Sequence, residues 1–421
     1  MHIVLLNQYF PPDEAPTGLM LATVALELRD MGHQVTIFCA EGGYARTQAA
    51  PSEVEDQTGK EGIFIYRTRS TRFGRKSHIG KIADYLTYYF TVSFKLATHR
   101  PKPDRIVALT TPPYLSILAR LFSRIRGGDH AHWVMDLYPD VMISHGMLSD
   151  RSVPLRILRA LASWGFGGSR CRMVLTLGPD MAKRTSRYQP DPRKIDWIPL
   201  WGTADNMSGS LPQQPTLNQT PEGQCPARPL VLMYSGNMGL GHRFGEFLHA
   251  AATQGSHYEW RFHGNGKRRP EVECFLAEHP EAPVTLGDYV PRAELATHLA
   301  SADVHLASLA PSWDGTMVPS KLQGIFAIGK PVIFIGTEIS AIGQWILQSD
   351  GGWVVAPDDH EGLARALRQA RDPETRERKG EAAREFAAAF FNAKINAARV
   401  ANRLAGQAIA RVPSNSPKFS K

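Results

Sequence analysis

The stretch TGLMLATVALELRDMGHQVTIFCA, residues 17 to 40, decides the fold class of this 421-residue chain. Its first half spaces apolar residues as a helix does, Gly32 supplies a turn, and the run from Val35 to Ala40 is apolar like a buried strand. The run HIVLL before it, residues 2 to 6, also has the pattern of a buried strand. A strand, a helix and a second strand in this order predict a βαβ unit and a parallel sheet.

The same pattern continues to residue 201. Four further strands are predicted, at GIFIYR (62–67), RIVALT (105–110), HWVMDL (132–137) and MVLTLG (173–178). Helical segments separate most of these runs. The spacing predicts one doubly wound N-terminal domain over residues 1–201.

A second domain of the same type is predicted after residues 202–229, a segment rich in Pro, Gly, Ser, Thr, Asn and Gln that is typical of a linker or exposed loop. Six short apolar runs between residues 230 and 376 predict a second, C-terminal α/β domain. Residues 377–421 predict a closing helix or helix pair and a tail, which we expect to pack back toward the N-terminal domain. The predicted fold is therefore α/β, with two Rossmann-like doubly wound domains facing each other across a cleft.

Composition narrows the class of protein. Apolar residues make up 43% of the chain and the formal charge is +8, as in a globular protein with an anionic partner. The four cysteines lack a CxxC spacing and no histidine pair has metal-ligand spacing, so we expect a reduced cytosolic protein without a metal site. The first apolar run is too short for a signal peptide and no run is long enough to span a membrane, so membrane contact is expected to be peripheral.

The segment Val318-Pro319-Ser320-Lys321 is the strongest candidate for ligand binding. Pro319 and Ser320 predict a helix start, with Ser320 as its cap, and Lys321 falls in the first turn. A positive charge opposes the helix macrodipole there, which is better explained by a bound anion than by a solvated surface lysine.

Three glycine turns follow predicted strands or open helices. SGNMGLGH (235–242) contains Gly236 and Asn237, HGNG (263–266) contains Gly264, and PPDEAPTGLM (11–20) places Gly18 after Thr17, a candidate cap. Such turns let backbone N–H groups approach a phosphate. The alternative for each is a tight turn or a capped helix without a ligand, and we expect no helix directly after HGNG because Pro270 intervenes.

Asp136 and Asp140 follow the run HWVMDL. A carboxylate at the carboxyl end of a parallel strand can act as a base or bind sugar hydroxyl groups. Either aspartate can equally cap the next helix, and the sequence leaves both readings open.

Residues 67–102 form a basic amphipathic stretch. Nine Lys and Arg residues oppose the single acid Asp84, and they alternate with Ile79, Ile82, Leu86, Tyr89, Phe90 and Phe94. Such a stretch suits an anionic membrane surface, with a core-facing helix that has a solvated basic face as the alternative. Nucleic acid is not expected as a partner, because no nucleic-acid-binding module is recognisable.

Taken together, these motifs resemble glycosyltransferase family 4, which has the GT-B fold, in the branch that builds bacterial exopolysaccharide and O-antigen. The resemblance runs over nearly the whole chain. It rests on the segments NQYFPPDEAPTGLMLATVALELRDMGHQVTIF, LTTPPYLSILARL, DLYPDVMISHGML, IDWIPLWGTAD, YSGNMG, FHGNG, LGDYVPRAELATHLASADV and VPSKLQGIFAIGKPVI, in the family's order.

The resemblance implies retaining transfer of a sugar from a nucleotide diphosphosugar, with no essential metal or other cofactor. The implied partners are the nucleotide sugar, a lipid-linked sugar or polysaccharide acceptor and the inner face of the bacterial inner membrane. The resemblance makes residues 1–201 the acceptor-side domain and residues 230–376 the nucleotide-sugar donor domain. The residues that would hold the donor are Gly18, Gly236, Asn237, Gly264, Ser320, Lys321 and Gln323. Asp136 or Asp140 would line the acceptor side, and Lys321 would also serve catalysis.

The chain departs from the family at two sites. Many members carry two Glu residues eight positions apart, where this chain has Thr316 and Gly324, so the usual ribose ligand is missing beside Gln323. The Arg that often follows the strand-end glycine is Asn237, which puts more of the phosphate charge on Lys321, with His242 and Arg243 as the nearest further candidates.

Three rival functions follow from the same residues. A GT-B-fold sugar-nucleotide epimerase would not need the basic amphipathic stretch. A nucleotide-dependent oxidoreductase would use Gly239, Gly241 and Gly245, but no convincing acidic or basic ribose-binding residue follows the next strand. A non-catalytic sugar-nucleotide-binding subunit would fit the missing Glu pair.

Overall fold

The computed structural model describes residues 1–13, 15–41, 62–69, 71, 73, 78–202 and 228–407. The chain forms two compact units. Unit 1 contains the described residues up to Pro199, the short segment Gly315–Met317 and the described residues from Lys394 onward. Unit 2 contains the described residues of Leu200–Asp314 and Val318–Ala393. Most of the predicted linker 202–229, together with Arg72, Arg75, Lys76 and Cys225, lies outside the described residues.

Unit 1 is built on a parallel sheet of seven described strands. They are β1 (His2–Leu6), β2 (Gln34–Ala40), β3 (Ile63–Thr68), β4 (Arg105–Ala108), β5 (Asp129–Trp133), β6 (Cys171–Thr176) and β7 (Ile195–Trp197). Their order in the sheet is β3-β2-β1-β4-β5-β6-β7. All five residues of β1 are buried, since a parallel strand covered by helices on both faces has no solvated side.

Seven described helices connect or follow these strands. They are α1 (Pro16–Asp30), α2 (His78–Thr98), α3 (Leu115–Arg126), α4 (Asp140–Ser144), α5 (Val153–Phe166), α6 (Pro179–Thr185) and, from the end of the chain, α14 (Ala393–Ala405). Helix α2 buries Tyr88, Val92 and Leu96, which lie four residues apart and so share one face. These side chains pack with Val4, Leu6 and other strand residues into the core of unit 1.

Unit 2 repeats this design with six described strands. They are β8 (Leu230–Ser235), β9 (Tyr258–His263), β10 (Val284–Gly287), β11 (Val304–Ser308), β12 (Val332–Ile335) and β13 (Gly352–Val355). All pairs are parallel and the order is β10-β9-β8-β11-β12-β13. Both sheets follow the strand order of a Rossmann-like fold, which confirms the predicted fold class of two doubly wound α/β domains.

The described helices of unit 2 complete its layers. They are α7 (Gly245–Thr253), α8 (Arg269–Glu278), α9 (Leu295–Ala300), α10 (Lys321–Ala327), α11 (Ala341–Ser349), α12 (His360–Ala370) and α13 (Pro373–Phe390). Aromatic residues fill much of the core, with Phe247, Trp260 and Phe262 fully buried. The helical segment predicted from residue 377 is thus two helices, α13 in unit 2 and α14 in unit 1.

Some local predictions were wrong. The strand predicted at residues 132–137 is β5, which ends at Trp133, so the buried residues Val134, Met135 and Leu137 belong to a loop. Helix α8 does follow HGNG, because Pro270 occupies its first turn, where a missing N–H costs nothing. Helix α1 begins at Pro16 after Ala15, so Thr17 is not its cap.

Within the described residues, no helix combines the length and the apolar content that a membrane span requires.

Candidate functional site

Both sheets reverse their strand order near the middle. In unit 1 the chain passes from β1 outward to β3 and returns to the other side of β1 at β4, and unit 2 does the same around β8 and β11. At such a point the loops after two neighbouring strands diverge and leave a crevice at the carboxyl ends of the strands. Open α/β sheets bind ligands in this crevice, so each unit is described from its reversal point outward.

Lys321 reaches the reversal point of unit 2 from the first residue of α10. Its Nζ donates hydrogen bonds to the Tyr234 hydroxyl, to the Asn237 carbonyl oxygen at 3.0 Å and to Nε2 of His242 at 3.2 Å. The ammonium also lies 3.9 Å from the centre of the Tyr234 ring. These partners are all neutral, and burial lowers the pKa of Lys321 well below its usual value.

His242 joins the Lys321 cluster to β11. Its Nδ1 lies 2.7 Å from the carbonyl oxygen of Ser308, the last residue of β11. A carbonyl oxygen only accepts, so Nδ1 carries the proton and Nε2 accepts from Lys321. Burial, helped by the charge of Lys321, lowers the pKa of His242 to about 3, which keeps the ring neutral at pH 7.

Gly236 and Gly264 shape the floor beneath Lys321. A Cβ on Gly236 would lie 2.7 Å from Cε of Lys321, and a Cβ on Gly264 would lie 2.0 Å from the carbonyl oxygen of Gly236. Their N–H groups donate within the fold, Gly236 to His263 at 2.9 Å and Gly264 to Gly287 at 3.0 Å. These two N–H groups are thus engaged, and the two glycines act through close packing.

Arg243, the further phosphate ligand considered from the sequence, is held by acids. Its Nε donates to Glu246 at 2.7 Å and a terminal nitrogen donates to Asp358 at 2.6 Å. These pairs leave Lys321 as the cation of the cluster that hydrogen-bonds to neutral groups alone.

The remaining predicted donor ligands lie on α10. Ser320 is exposed and occupies the predicted N-cap position of α10, but its side chain makes no capping hydrogen bond. Gln323 is 1% exposed, and its amide has no hydrogen-bond partner among the described residues. Two residues along a helix turn about 200°, so Gln323 and Lys321 point to different sides.

Gly324 leaves room for a side chain. A Cβ there would meet only Cδ1 of Leu299, at 3.9 Å. The absence of the family's Glu at this position is therefore not forced by crowding in unit 2.

Asp136 lies near the reversal point of unit 1. Its backbone N–H donates to Oγ1 of Thr110, just after β4, at 3.2 Å, and it forms an isolated antiparallel bridge with Met317. Burial raises the pKa of its carboxyl to about 6. A carboxylate with a pKa near the working pH is suited to proton transfer.

Asp140 has a different environment. It is fully buried at the start of α4, where Oδ1 accepts from Nε of Arg184 at 2.7 Å and Oδ2 accepts from the Tyr188 hydroxyl. Arg187 adds a second ion pair at 3.6 Å. Both oxygens are thus occupied, and these contacts favour a structural function, anchoring α4 to α6 and the turn after it, over substrate contact.

Gly18 packs tightly within unit 1. A Cβ there would lie 3.0 Å from the carbonyl oxygen of Tyr9, and the Gly18 N–H already donates to Ala15 at 2.9 Å. The glycine lets the loop after β1 pass close to α1. Its N–H is engaged by the helix start.

Two polar residues after β1 were not singled out from the sequence. Asn7 and Gln8 are almost fully buried, and the side-chain oxygen of each has no hydrogen-bond partner among the described residues. The Gln8 N–H donates to Thr111 at 2.7 Å, which ties this loop to the one after β4. The available signal was their position directly after the first strand, at the reversal point.

The described structure thus gathers Gly236, Asn237, Gly264 and Lys321 in unit 2. Ser320 directly precedes α10 and Gln323 lies within it. None of the hydrogen bonds described above joins either residue to this cluster. In unit 1, Asp136 lies near β4, while Asp140 and Gly18 make their own separate contacts.

Two family models match consecutive parts of the chain. The glycosyl transferase 4-like domain matches residues 18–201, and the glycosyl transferases group 1 domain matches residues 229–372. The chain is 25% identical over 370 residues to the probable glycosyltransferase WbjE of Pseudomonas aeruginosa, covering 87% of this chain and 88% of that protein. It is 21% identical over 388 residues to the putative colanic acid biosynthesis glycosyl transferase WcaI of Escherichia coli K12, covering 88% of this chain and 92% of that protein.

Solved structures agree at the level of the fold. The crystal structure of Anabaena HepE in complex with UDP and glucose has a TM-score of 0.63 and 14% identity, covering 96% of this chain and 99% of that one. Two domain models of sugar-transferring enzymes, two relatives matched over nearly their full length and the paired Rossmann-like sheets agree with one another. The chain is therefore a glycosyltransferase of family 4 and of the GT-B type.

Proposed function

We propose that this glycosyltransferase moves a sugar from a nucleotide diphosphosugar to a lipid-linked or polysaccharide acceptor, with retention and without an essential metal. The observation that carries the proposal is Lys321, a partly buried ammonium held at the reversal point of unit 2 by neutral groups. An anion that binds there would supply the negative charge that the cluster lacks.

Lys321 would act on the leaving group. When the bond from the sugar to the diphosphate breaks, negative charge grows on the diphosphate oxygens. A positive group already fixed in place stabilises that charge without having to reorganise. Binding of the diphosphate would also raise the pKa of Lys321, because an opposite charge favours the protonated form.

The relatives support the substrate classes. HepE binds UDP and glucose in its crystal structure, which favours a nucleotide diphosphosugar as the donor here. WcaI is named for colanic acid biosynthesis, which favours a growing polysaccharide or its lipid-linked precursor as the acceptor.

We assign the acceptor to unit 1. Burial raises the pKa of the Asp136 carboxyl to about 6. At pH 7 most molecules therefore have Asp136 as a carboxylate, which can accept a proton. Asn7 and Gln8 offer buried amide oxygens that need donors, and sugar hydroxyl groups are donors. We propose that these three residues orient an acceptor hydroxyl.

A row of exposed apolar residues on α2 supports a membrane-bound acceptor. Ile82, Leu86, Phe90 and Phe94, called here the apolar row, lie four residues apart and are 57%, 62%, 77% and 63% exposed. Helix α3 packs on α2 and α5 packs on α3. These two helices expose further apolar side chains, namely Leu121 and Ile125 on α3 and Val153, Ile157 and Leu161 on α5.

Cations accompany the apolar row. Lys81 and Lys95 are exposed on α2, Arg124 on α3 and Arg156 on α5. Apolar side chains beside Lys and Arg are the pattern of a protein that binds anionic lipid headgroups and inserts shallowly. We therefore propose peripheral binding to the cytoplasmic face of the inner membrane.

The donor proposal is tested with Lys321→Met. We expect the purified wild-type protein to gain thermal stability with at least one sugar nucleotide of a panel, since a ligand that binds the folded state stabilises it. The variant should lose this gain and lower the rate of transfer by roughly 10²-fold, a typical effect of removing one preorganised electrostatic group.

Lys330→Met is the matched control. Lys330 is also a partly buried lysine of unit 2, and burial lowers its pKa, but it lies at the far end of the segment that begins with α10. Equal donor binding in wild type and Lys321→Met would contradict the proposal. If the protein interconverts sugar nucleotides in the absence of an acceptor, it is an epimerase. If it binds the donor but neither hydrolyses it nor transfers its sugar, it is a non-catalytic binding subunit.

The membrane proposal is tested separately with vesicles. The double change Leu86→Glu and Phe90→Glu should lower binding to vesicles rich in phosphatidylglycerol at least tenfold, since burying each side chain is worth about 1.5 to 3 kcal/mol. The control is the double change Ile339→Glu and Leu347→Glu in unit 2. The side chains of Ile339 and Leu347 are 71% and 54% exposed. Equal loss in both double variants, or none in either, would contradict the proposal.

A further inference from the structure

Three buried side chains with metal-ligand chemistry meet inside unit 1. His130 and His132 lie on β5 and Cys171 begins β6, and all three are at most 1% exposed. One ligand atom from each lies within 4.8 Å of the others. Neither candidate site described above uses these residues.

The strand geometry explains how they meet. Residues two apart on a strand share a face, so His130 and His132 point to the same side of β5. In β6, Val174 pairs with His132 and Met173 with Ala131, so an unbroken register would place Arg172 opposite His130. The register shifts between His130 and Ala131, and Cys171 stands opposite His130 instead.

Because of this irregularity, the thiol of Cys171 stands opposite His130, where an unbroken register would place the charged side chain of Arg172. Arg172 is exposed and forms an ion pair with Asp129 at 2.8 Å. Cys171 takes the buried position facing the imidazoles. Bulges of this kind re-aim side chains and are enriched next to functional sites.

The polar atoms of the cluster are unusually unsatisfied. Neither ring nitrogen of His132 nor Nε2 of His130 has a hydrogen bond of normal geometry among the described residues. The backbone of Gly165 lies close enough to His132, and that of Gly167 to His130, to act as a weak hydrogen-bond partner. Nδ1 of His130 lies 3.1 Å from Oγ of Ser123. Buried ring nitrogens without partners cost stability, and a metal ion would satisfy them.

The ligand set selects a class of metal. Two imidazole nitrogens and one sulfur suit a soft or borderline ion, Zn²⁺ or Cu⁺, and not Mg²⁺ or Ca²⁺, which prefer oxygen. Burial lowers the pKa of His130 to about 4 and that of His132 well below its usual value, so both rings are neutral, as ligands must be.

Several features oppose binding and determine how the test is designed. Bound ligand atoms lie about 3.5 Å apart around zinc, so the side chains must move together by about 1 Å from their present spacing. Burial raises the pKa of the Cys171 thiol to about 11, which disfavours the thiolate that a metal requires. The charges of Lys194 and Arg120 lower this pKa only in part, and they disfavour a further positive ion. A Cu⁺ ion with one thiolate is neutral overall, whereas Zn²⁺ leaves one positive charge. Zn²⁺ in a structural site also takes a fourth ligand, which these three residues do not supply.

We propose that His130, His132 and Cys171 bind one structural transition-metal ion, Zn²⁺ or Cu⁺, within unit 1. Binding of either ion releases the thiol proton of Cys171 to solvent, and no electron is transferred. The ion would fix β5 to β6 four residues before Asp136. The proposal concerns structure and does not depend on sugar transfer.

The first test measures metal in the full-length protein, purified without chelator and without a polyhistidine tag. Mass spectrometry of the metal content should find about one Zn or Cu per chain, and the element found separates the two ions. The stripped protein, titrated with Co²⁺ in place of zinc, should develop the absorption of a thiolate bound to cobalt. Failure of both measurements in the wild-type protein would overturn the proposal.

Variants locate the ion. Cys171→Ala and His132→Phe should each lower the bound metal by at least tenfold. Cys39→Ala and His305→Phe are matched controls, since Cys39 is a buried cysteine of the same sheet and His305 is a buried histidine of unit 2. These two should keep the metal.

Metal content unchanged in Cys171→Ala would place the ion elsewhere and overturn the proposal. If the variants fail to fold, as judged by gel filtration and circular dichroism, the cobalt spectrum of the wild type decides alone, because the thiolate absorption requires a cysteine ligand.

Discussion

Gly236 controls the position of the candidate catalytic lysine by having no side chain. Its φ is +128°, which side-chain-bearing residues rarely adopt, and a Cβ would lie 2.7 Å from Cε of Lys321. We predict that Gly236→Ala lowers the transfer rate nearly as much as Lys321→Met and destabilises the fold by about 1 to 2 kcal/mol. Urea unfolding and a transfer assay measure the two effects.

Gly255→Ala is the control that separates the backbone strain of a positive φ from displacement of the Lys321 side chain. Gly255 also has a positive φ, +69°, but a Cβ there would meet nothing within 4 Å. It should lose a similar amount of stability and keep full activity. An active Gly236→Ala protein would show that Lys321 tolerates displacement or is not needed.

Asp136 should make stability depend on pH in the opposite direction to an ion-paired aspartate. Its pKa of about 6 in the folded protein lies above the ordinary aspartate value of 3.8. Between these values the unfolded chain loses a proton that the folded chain keeps, so folding becomes less favourable as the pH rises toward 6 and the cost persists above it. Asp136→Asn should therefore raise the melting temperature at pH 8 and leave it nearly unchanged below pH 4.

The same substitution should lower activity if Asp136 is the base. In the wild type kcat/KM should rise through about pH 6, and this rise should be absent from any residual activity of Asp136→Asn. Asp140→Asn is the contrast, because it weakens bonds to Arg184 and Tyr188 and should lower the melting temperature at pH 8. A melting temperature of Asp136→Asn that is lower at pH 8 would contradict the assigned environment.

At the scale of elements, helix α10 contains Lys321, which matches the motif of the family, and Gly324, which departs from it. Helix α10 has seven residues, Lys321–Ala327, and Gly324 sits in its middle, where glycine weakens a helix by about 0.5 to 1 kcal/mol relative to alanine. Because a Cβ at Gly324 would meet only Leu299, we predict that Gly324→Ala stabilises the protein by about that amount in urea unfolding.

Gly324→Glu extends the prediction to function. The resemblance to family 4 places a ribose-binding Glu at this position, so the variant should bind the sugar nucleotide more tightly, as measured by calorimetry. Gly324→Gln is the control for size without charge. Weaker donor binding in Gly324→Glu, with the fold intact, would mean that the nucleotide lies elsewhere or that its path crosses this position.

Several elements were predictable from the sequence and others were not, for identifiable reasons. The strands β1, β2 and β8 were legible because they are buried on both faces and therefore appear as short continuous apolar runs. The end of β5 was not, since Val134, Met135 and Leu137 are buried in a loop, and burial alone does not distinguish a loop from a strand.

The candidate site was predictable only in part. Lys321 and Gly236 belong to short local motifs, whereas His242, 79 residues from Lys321, joins them only through the fold. Asp136 and Asp140 looked alike in sequence, and the difference between them depends on Arg184 and Tyr188, which lie 44 and 48 residues further on.

At the scale of the whole molecule, unit 1 is discontinuous in the chain. It includes α14, which follows unit 2 in the chain. In this helix Val400, Ala401 and Leu404 are fully buried, and Arg403 forms an ion pair with Asp196. We predict that a fragment of residues 1–201 lacks fixed tertiary structure by near-ultraviolet circular dichroism. A peptide of residues 393–407, added in excess, should restore it, whereas a peptide of the same composition in scrambled order should not.

A natively packed fragment 1–201 would contradict this dependence on α14. Unit 1 would then hold its sheet through β1 to β7 and the helices between them alone.

The bond from Arg105 to the carbonyl oxygen of Leu404 spans 299 residues. At a synthesis rate of about 5 to 20 residues per second, a ribosome needs roughly 15 to 60 s to make the chain between these two partners. During that time the seven described strands of unit 1 exist without α14, while unit 2 can already close its own sheet. The domain made first is thus the last to mature, and the nascent chain must keep an apolar surface of unit 1 from aggregating until its final helix leaves the ribosome.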